Sequence, residues 1–328
     1  MRTGEFQRRE DLFDDGMTEY SIRAAQKRGD LVRLTRGRFR TKTDDQARIW
    51  RAELLARIDR AGPEAVASHA TAAKLHQLEG PWEGHINVLG SQDSAAREPG
   101  AFRTNTLLPE HRHVIDGIPV TSLARTLVDL GRVASLDDLE LALESALRSY
   151  DPFFPEQWNQ QLMSVLTTWP HTPRVRGHRA LRQVVARRPT DCRPTGSPAE
   201  TVAIQILRSV GLGMEAVRQP NVLVDDRRTG RRYSCIPDIL FPEVGLEIEV
   251  DGRRGHDSDD DRSRDNRREN SLGAAVRVLR YTGTDLRTRR REIGPEVRRE
   301  YDALARHSFR ADVTVTNVSP GSYRYVIG

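Results

Sequence analysis

Cys235-Ile-Pro-Asp-Ile-Leu-Phe241 and Leu246-Glu-Ile-Glu-Val-Asp251, separated by Pro242-Glu-Val-Gly245, decide how the second half of this chain folds. Two apolar runs joined at hairpin length predict consecutive antiparallel strands. In the second run Leu246, Ile248 and Val250 alternate with Glu247, Glu249 and Asp251, so the pleat puts three carboxylates on one face. Those charges repel unless the face is a solvated edge or something positive lies against it. A divalent metal is the economical answer, because Mg²⁺ takes oxygen ligands from carboxylates, water and phosphate. Asp238 sits where hairpin pairing brings it beside Glu247 or Glu249. Its neighbours Ile236 and Leu240 are apolar, so an acid there is costly unless ligated or hydrogen-bonded.

Working outward, Ser197-Pro198-Ala199-Glu200 opens a helix, with Ser197 as N-cap, Pro198 at its first position and Glu200 in its first turn. Gly211 ends it. A strand over Asn221 to Val224 and a polar turn over Asp225 to Arg232 follow. Beyond the acidic strand come Asp251-Gly-Arg-Arg-Gly-His256, an acidic run from Asp257 to Asp261, and a last strand over Val276 to Tyr281. Helix, strands, helix and strand in this order predict a mixed sheet with flanking helices.

Pro237-Asp238, Glu249-Val-Asp251-Gly252, His256, Arg264-Asp-Asn-Arg-Arg-Glu-Asn-Ser-Leu272 and Val278-Leu-Arg-Tyr-Thr282 resemble the small PD-(D/E)XK nuclease-like domains related to very-short-patch-repair endonucleases. The resemblance spans roughly residues 197–286. It implies a restriction-endonuclease-like fold, with metal on Asp238 and Glu249 and support from Glu200. The general pattern has lysine two residues past Glu249, where this chain has Asp251; Asp-Gly at this point is typical of the repair-like subgroup. Gly273-Ala-Ala-Val-Arg277 also lacks the aromatic that the subgroup tends to carry there. The expected chemistry is metal-assisted phosphodiester hydrolysis, with Mg²⁺ or Mn²⁺ on Asp238, Glu249 and Asp251, or on Glu247 in place of Asp251. His256 would serve as general base or orient the attacking water, and Arg264 and Arg267 would stabilise phosphate charge.

The amino-terminal end predicts a different activity. Gln7 to Phe13 reads as a short helix, Asp14-Asp15-Gly16 as a break, and Thr18 as the N-cap of a helix to Arg28 closed by Gly29. Strands around Leu31 to Leu34 and Arg38 to Arg40 flank Thr35-Arg36-Gly37. Helix, helix and basic hairpin is the order of a winged helix. In that arrangement Glu19, Arg23, Gln26 and Lys27 face the major groove, and Arg33, Arg36, Arg38 and Arg40 meet phosphates. A solvated strand face is the plainer account of those arginines.

Ala65-Val-Ala-Ser-His-Ala-Thr-Ala-Ala-Lys-Leu-His76 reads as a small-residue helix, Asp116 to Leu130 as strand, turn and helix, and Leu136 to Leu147 as a helix with an apolar stripe. His69 and His76 lack a third ligand and read as packing or capping residues. With the basic hairpin, Ala-Ser-His-Ala-Thr-Ala-Ala-Lys-Leu-His and Gly117-Ile-Pro-Val-Thr-Ser-Leu-Ala-Arg-Thr-Leu-Val-Asp129 resemble the AbiEi antitoxins of type IV abortive-infection systems, over about residues 5–148. That resemblance implies operator binding and a nucleotidyltransferase-like toxin as partner.

The expected organisation is multidomain mixed α/β: a winged helix over 1–45, an α-rich middle domain over 46–150, a helical connector over 151–196, the nuclease-like domain over 197–307 and a terminal hairpin over 308–328. Basic residues number 49 Arg against three Lys, the last being Lys74, so any mechanism needing an ammonium beyond that point is excluded. A coding preference for arginine accounts for the skew, and its local concentration suits a polyanion. Cys192 and Cys235 have no zinc-ligand spacing. No apolar run reaches the ~20 residues that cross a bilayer, and the amino terminus lacks a signal-peptide core, which predicts a cytoplasmic protein without a membrane partner. Two functions follow: a DNA-binding protein with a metal-dependent endonuclease-like domain, in phage defence or DNA repair, or an antitoxin-type regulator whose nuclease-like domain is degenerate.

Overall fold

The computed structural model describes residues 6–84, 86–90, 100–103, 107–149, 177–189, 193–251, 275–306 and 312–328. They form two compact units, Met1–Ser135 with Thr168–Leu181, and Leu136–Thr167 with Arg182–Gly328. The chain is mixed α/β, and none of its described helices is long and apolar enough to cross a membrane.

The first unit begins with β1 (Gln7–Arg8), α1 (Arg9–Asp14) and α2 (Glu19–Arg28). Gln7 and Arg8, expected to be helical, instead pair with Phe39 and Arg38. Thr18 caps α2 by accepting from the Ser21 N–H at 3.2 Å, and Gly29 ends it in the left-handed region at φ 82°. β2 (Leu31–Thr35) and β3 (Arg38–Thr41) complete a small sheet of order β1-β3-β2, with Leu12, Ile22, Ala25, Leu31 and Phe39 as its core.

Next comes α3 (Gln46–Ala61), capped by Asp45, whose Oδ1 accepts from the N–H groups of Ala47 and Arg48. β4 (Val66–Ala67), α4 (His69–Leu75), β5 (Val88–Gly90), β6 (Ala101–Arg103), β7 (Arg112–Ile115), β8 (Ile118–Thr121) and α5 (Leu123–Leu130) follow, with a five-stranded sheet of order β6-β5-β4-β8-β7. The run from Ala65 to His76 is therefore not one helix. Val66 and Ala67 sit buried in the middle strand, and helix starts only after Ser68, because a short buried apolar run serves a sheet interior as well as a helix.

The second unit opens with α6 (Leu136–Arg148); the division between units falls within α7 (His178–Val185), after Leu181, and the second unit continues with α8 (Pro198–Ser209). The buried carboxylates of α6 tie it into this unit. Glu140 accepts from both terminal nitrogens of Arg208 at 2.8 and 2.6 Å, and Glu144 from Arg188 and Arg218 at 2.8 and 2.9 Å. Buried charge is tolerable only when so paired.

β9 (Val217–Arg218), β10 (Asn221–Asp226), β11 (Arg231–Cys235), β12 (Ile239–Phe241), β13 (Leu246–Asp251), β14 (Arg277–Thr282), α9 (Gly283–Thr288), α10 (Arg290–Arg306), β15 (Val313–Ser319) and β16 (Ser322–Ile327) complete the unit. Two four-stranded sheets result, of order β14-β13-β12-β9 and β11-β10-β16-β15. In the first, β12 runs antiparallel to β9 and β13, and β13 runs parallel to β14. Helices α8, α9 and α10 cover one face, where Ile204, Leu207, Leu286, Ile293 and Val297 pack on Ile239, Leu246, Ile248 and Val250. On the other face Leu240 and Val276 meet Val222, Val224, Tyr325 and Ile327 of the second sheet.

The stretch Cys235 to Phe241 is not a single strand. It divides at Ile236-Pro237-Asp238, so that Cys235 ends β11 in one sheet and Ile239 begins β12 in the other. Pro237 lacks the N–H a continuous ladder would need, and the crossing between sheets falls there. The terminal hairpin is built into the second sheet, with β16 parallel to β10.

Candidate functional site

The acidic residues gather where β12 begins and β13 ends. β12 and β13 pair Ile239 with Ile248, and one further step in that register sets Asp238 across from Glu249. The Asp238 Oδ2 accepts from the Val250 N–H at 2.8 Å. Burial pushes the Asp238 carboxyl up against the pull of that hydrogen bond, and the charges of Glu200, Glu249 and Asp251 add to the rise, bringing it to about 7. Four carboxyl groups thus share one neighbourhood.

β13 lies inside its sheet, so a solvated acidic edge is ruled out. Along its acidic face exposure rises in steps: Glu247 is 4% exposed, Glu249 is half-buried and Asp251 is exposed. Glu247 pairs in register with Leu240 and Val278 and lies under the second sheet. Burial, then the hydrogen bond and charge of Glu249, hold its carboxyl far above the usual range and keep it neutral. Of the three acids on this face it is the most deeply set, bonded to Glu249 and flanked in register by Leu240 and Val278.

Glu200 stands in the first turn of α8, buried, with its N–H donating to Ser197 Oγ at 3.2 Å. Its Oε2 accepts from the Gly196 N–H at 2.7 Å and from Gln219 Nε2 at 3.1 Å. Gln219, between β9 and β10, also donates its N–H to the Asp238 carbonyl at 3.0 Å. No local pattern distinguishes Gln219 in the sequence, and its part in the site emerges only from pairing. Neither Asp238 Oδ1 nor Glu200 Oε1 accepts a hydrogen bond from a described residue. Among the described residues, no three His, Cys, Asp or Glu side chains stand as a group that could hold a metal ion. His256, Arg264 and Arg267 lie outside the described residues.

The candidate DNA-facing residues of the first unit divide into two kinds. Arg23 is exposed, with Glu19 at 3.4 Å beside it, and Lys27, Arg33 and Arg36 are exposed as well. Arg38 is different. Its guanidinium donates to Asp59 of α3 at 2.8 Å, and Arg8 bonds the same carboxylate. Burial works to raise the Asp59 carboxyl, but the hydrogen bonds from Arg8 and Arg38 outweigh it and hold it below its usual range. Arg38 therefore anchors the hairpin to α3. Arg40 is half-buried and donates to the Thr41 carbonyl at 3.0 Å.

His69 and His76 are packing residues. His76 Nε2 donates to the Thr121 carbonyl at 2.8 Å, and the His69 ring stacks on Phe102 with 3.6 Å between centroids. No family model matches the chain, and no curated protein matches it significantly.

Proposed function

We propose that this chain binds DNA through its first unit and hydrolyses phosphodiester bonds, with a divalent metal, through its second. Asp238 carries the reading: a half-buried carboxyl, oriented by a backbone N–H and raised first by burial and then by three neighbouring acids, is what a cation or a reacting proton would relieve. The order of elements supports it, with a helix, three antiparallel strands, and a parallel strand beside the acidic one, as in PD-(D/E)XK nucleases. The two helices and hairpin at the amino terminus are likewise the order of a winged helix.

Hard oxygen donors suit Mg²⁺ or Mn²⁺, and Asp238 and Glu249 with Asp251 would hold it. Among the described residues no three such side chains stand as a group, so water and phosphate oxygens would fill most of the shell. When bound, the ion supplies a water of lowered pKa close to the phosphate. Glu200 would support Asp238 through their shared neighbourhood, His256 would act as general base or orient the attacking water, and Arg264 and Arg267 would balance phosphate charge. A chain acting on DNA in phage defence or repair works in the cytoplasm.

Incubating the full chain with supercoiled and linear DNA in Mg²⁺ or Mn²⁺ tests this directly. Asp238→Ala and Glu249→Ala are each expected to lower cutting by at least about a hundredfold while leaving DNA binding intact. Equal cutting by both variants and the parent overturns the site.

A second reading is favoured by Asp251 standing where the general motif has lysine. In it the chain is an antitoxin-type regulator, its nuclease-like unit serves binding, and a nucleotidyltransferase-like toxin is its partner. Salt-sensitive binding to the gene's own upstream DNA, with no cutting in either metal, supports that reading.

A further inference from the structure

We infer that Gln219 is a positioning residue that couples the two acids Glu200 and Asp238, and that Gly196 is glycine so that it can do so. The inference rests on the nuclease reading above. Gln219 touches both acids by different groups: its backbone N–H donates to the Asp238 carbonyl at 3.0 Å, and its Nε2 donates to Glu200 Oε2 at 3.1 Å. Through that pair it ties the start of β12 to the first turn of α8, elements that otherwise meet through apolar packing.

Two further observations point to the same purpose. Gln219 holds φ at +42°, in the left-handed region that side chains other than glycine, asparagine and aspartate rarely enter. Strain of this kind persists where surroundings impose it, and it clusters at working sites. A helix cap alone needs no such conformation, because Ser197 already caps α8 in extended geometry. Gly196 adds the second observation. A Cβ built on it would stand 2.1 Å from Gln219 Nε2 and 2.9 Å from Glu200 Oε1. The amide and the carboxylate therefore occupy the space of the missing methyl.

The consequence for Glu200 is directional. Both of its donors, Gly196 N–H and Gln219 Nε2, fall on Oε2. Oε1 accepts from no described residue, so the clamp presents one oxygen while holding the other. An acid steadied in this way can support a water or cation shared with Asp238. An acid free to rotate would lose that direction.

The strain makes the test sharp. Gln219→Gly removes the amide and also relieves the left-handed backbone, so its urea midpoint in EDTA should equal or exceed that of the parent. Gly196→Ala leaves Gln219 in place but pushes its amide off Glu200. Titration of the full chain with Mn²⁺ alone, followed calorimetrically, should show affinity about 10- to 100-fold weaker in both variants, the loss usual when an outer partner of a ligand is removed. Unchanged Mn²⁺ affinity in both, or a lowered urea midpoint in Gln219→Gly with affinity intact, overturns the inference and leaves Gln219 a structural residue.

If the parent itself binds no Mn²⁺, the nuclease reading falls, and the clamp is then judged by a double-mutant cycle on urea stability. Gln219→Gly and Glu200→Gln should be non-additive by more than about twofold in the folding equilibrium constant. Additivity removes the coupling as well.

Discussion

His69 concentrates several costs in one side chain. It is fully buried, it holds φ at +48°, its Nδ1 lies 2.9 Å from Ser68 Oγ, and its Nε2 has no partner among the described residues. Burial, and then the charges of Arg132 and Arg125, lower its pKa from 6.5 to about 3, so the ring stays neutral in the folded chain. The unfolded chain binds a proton below 6.5 and the folded chain does not, so this group's contribution is complete above pH 6.5 and is lost as pH falls from there toward 3. At about 1.4 kcal/mol per pH unit, lowering the pH from 6.5 to about 5 should cost the first unit up to about 2 kcal/mol. His69→Asn tolerates the left-handed backbone and cannot take the charge. Its stability should start lower, by about 1 kcal/mol for the missing ring stack, but its acid limb should be flatter. Parallel pH profiles from urea melts of parent and variant would disprove this account of the ring.

Among the elements, β13 has the clearest pattern and the least expected outcome. Strict alternation assigned Leu246, Ile248 and Val250 to the core, and they pack there against α8 and α10. The opposite face could not be read from the same six residues, because what covers Glu247 is β16, which pairs with β10 and arrives at the end of the chain. A neutral, buried Glu247 is ionised on unfolding at neutral pH, so it costs stability there and costs less as pH falls toward the usual carboxylate range. Glu247→Gln should therefore raise stability in EDTA by about 1–2 kcal/mol at about pH 8 and by little at about pH 5, measured by urea melts. A variant destabilised at both would mean that Glu247 is held by a partner that needs its charge. The split of 235–241 has a similar cause. Pro237 signalled a break, but only pairing of β11 with β10 and of β12 with β13 reveals that the break is a passage between sheets.

At the scale of the whole molecule, charge type was legible while its use was not. Forty-nine arginines against three lysines offered no means of separating an arginine that meets DNA from one that holds the fold. The structure shows which of them are committed to buried or half-buried carboxylates: Arg38 is bound to Asp59, Arg208 to Glu140, and Arg188 and Arg218 to Glu144, whereas Arg23, beside Glu19, and Lys27 stand exposed on one helix. Within the described residues of α2, these two are the cations best placed to release counterions from DNA. The slope of log affinity against log salt falls by about 0.9 for each phosphate that a side chain ceases to neutralise. Arg23→Ala with Lys27→Ala should then weaken DNA binding at low salt and flatten the slope by about one to two. Asp238→Ala, on the second unit, should leave both quantities unchanged while abolishing any metal-dependent cutting. Arg38→Ala should act differently again, lowering the stability of the first unit by taking one of the two guanidinium donors from Asp59, with little change in slope. If Arg38→Ala instead flattens the slope as much as the α2 pair with stability intact, the hairpin arginine meets a phosphate and its bond to Asp59 gives way on DNA.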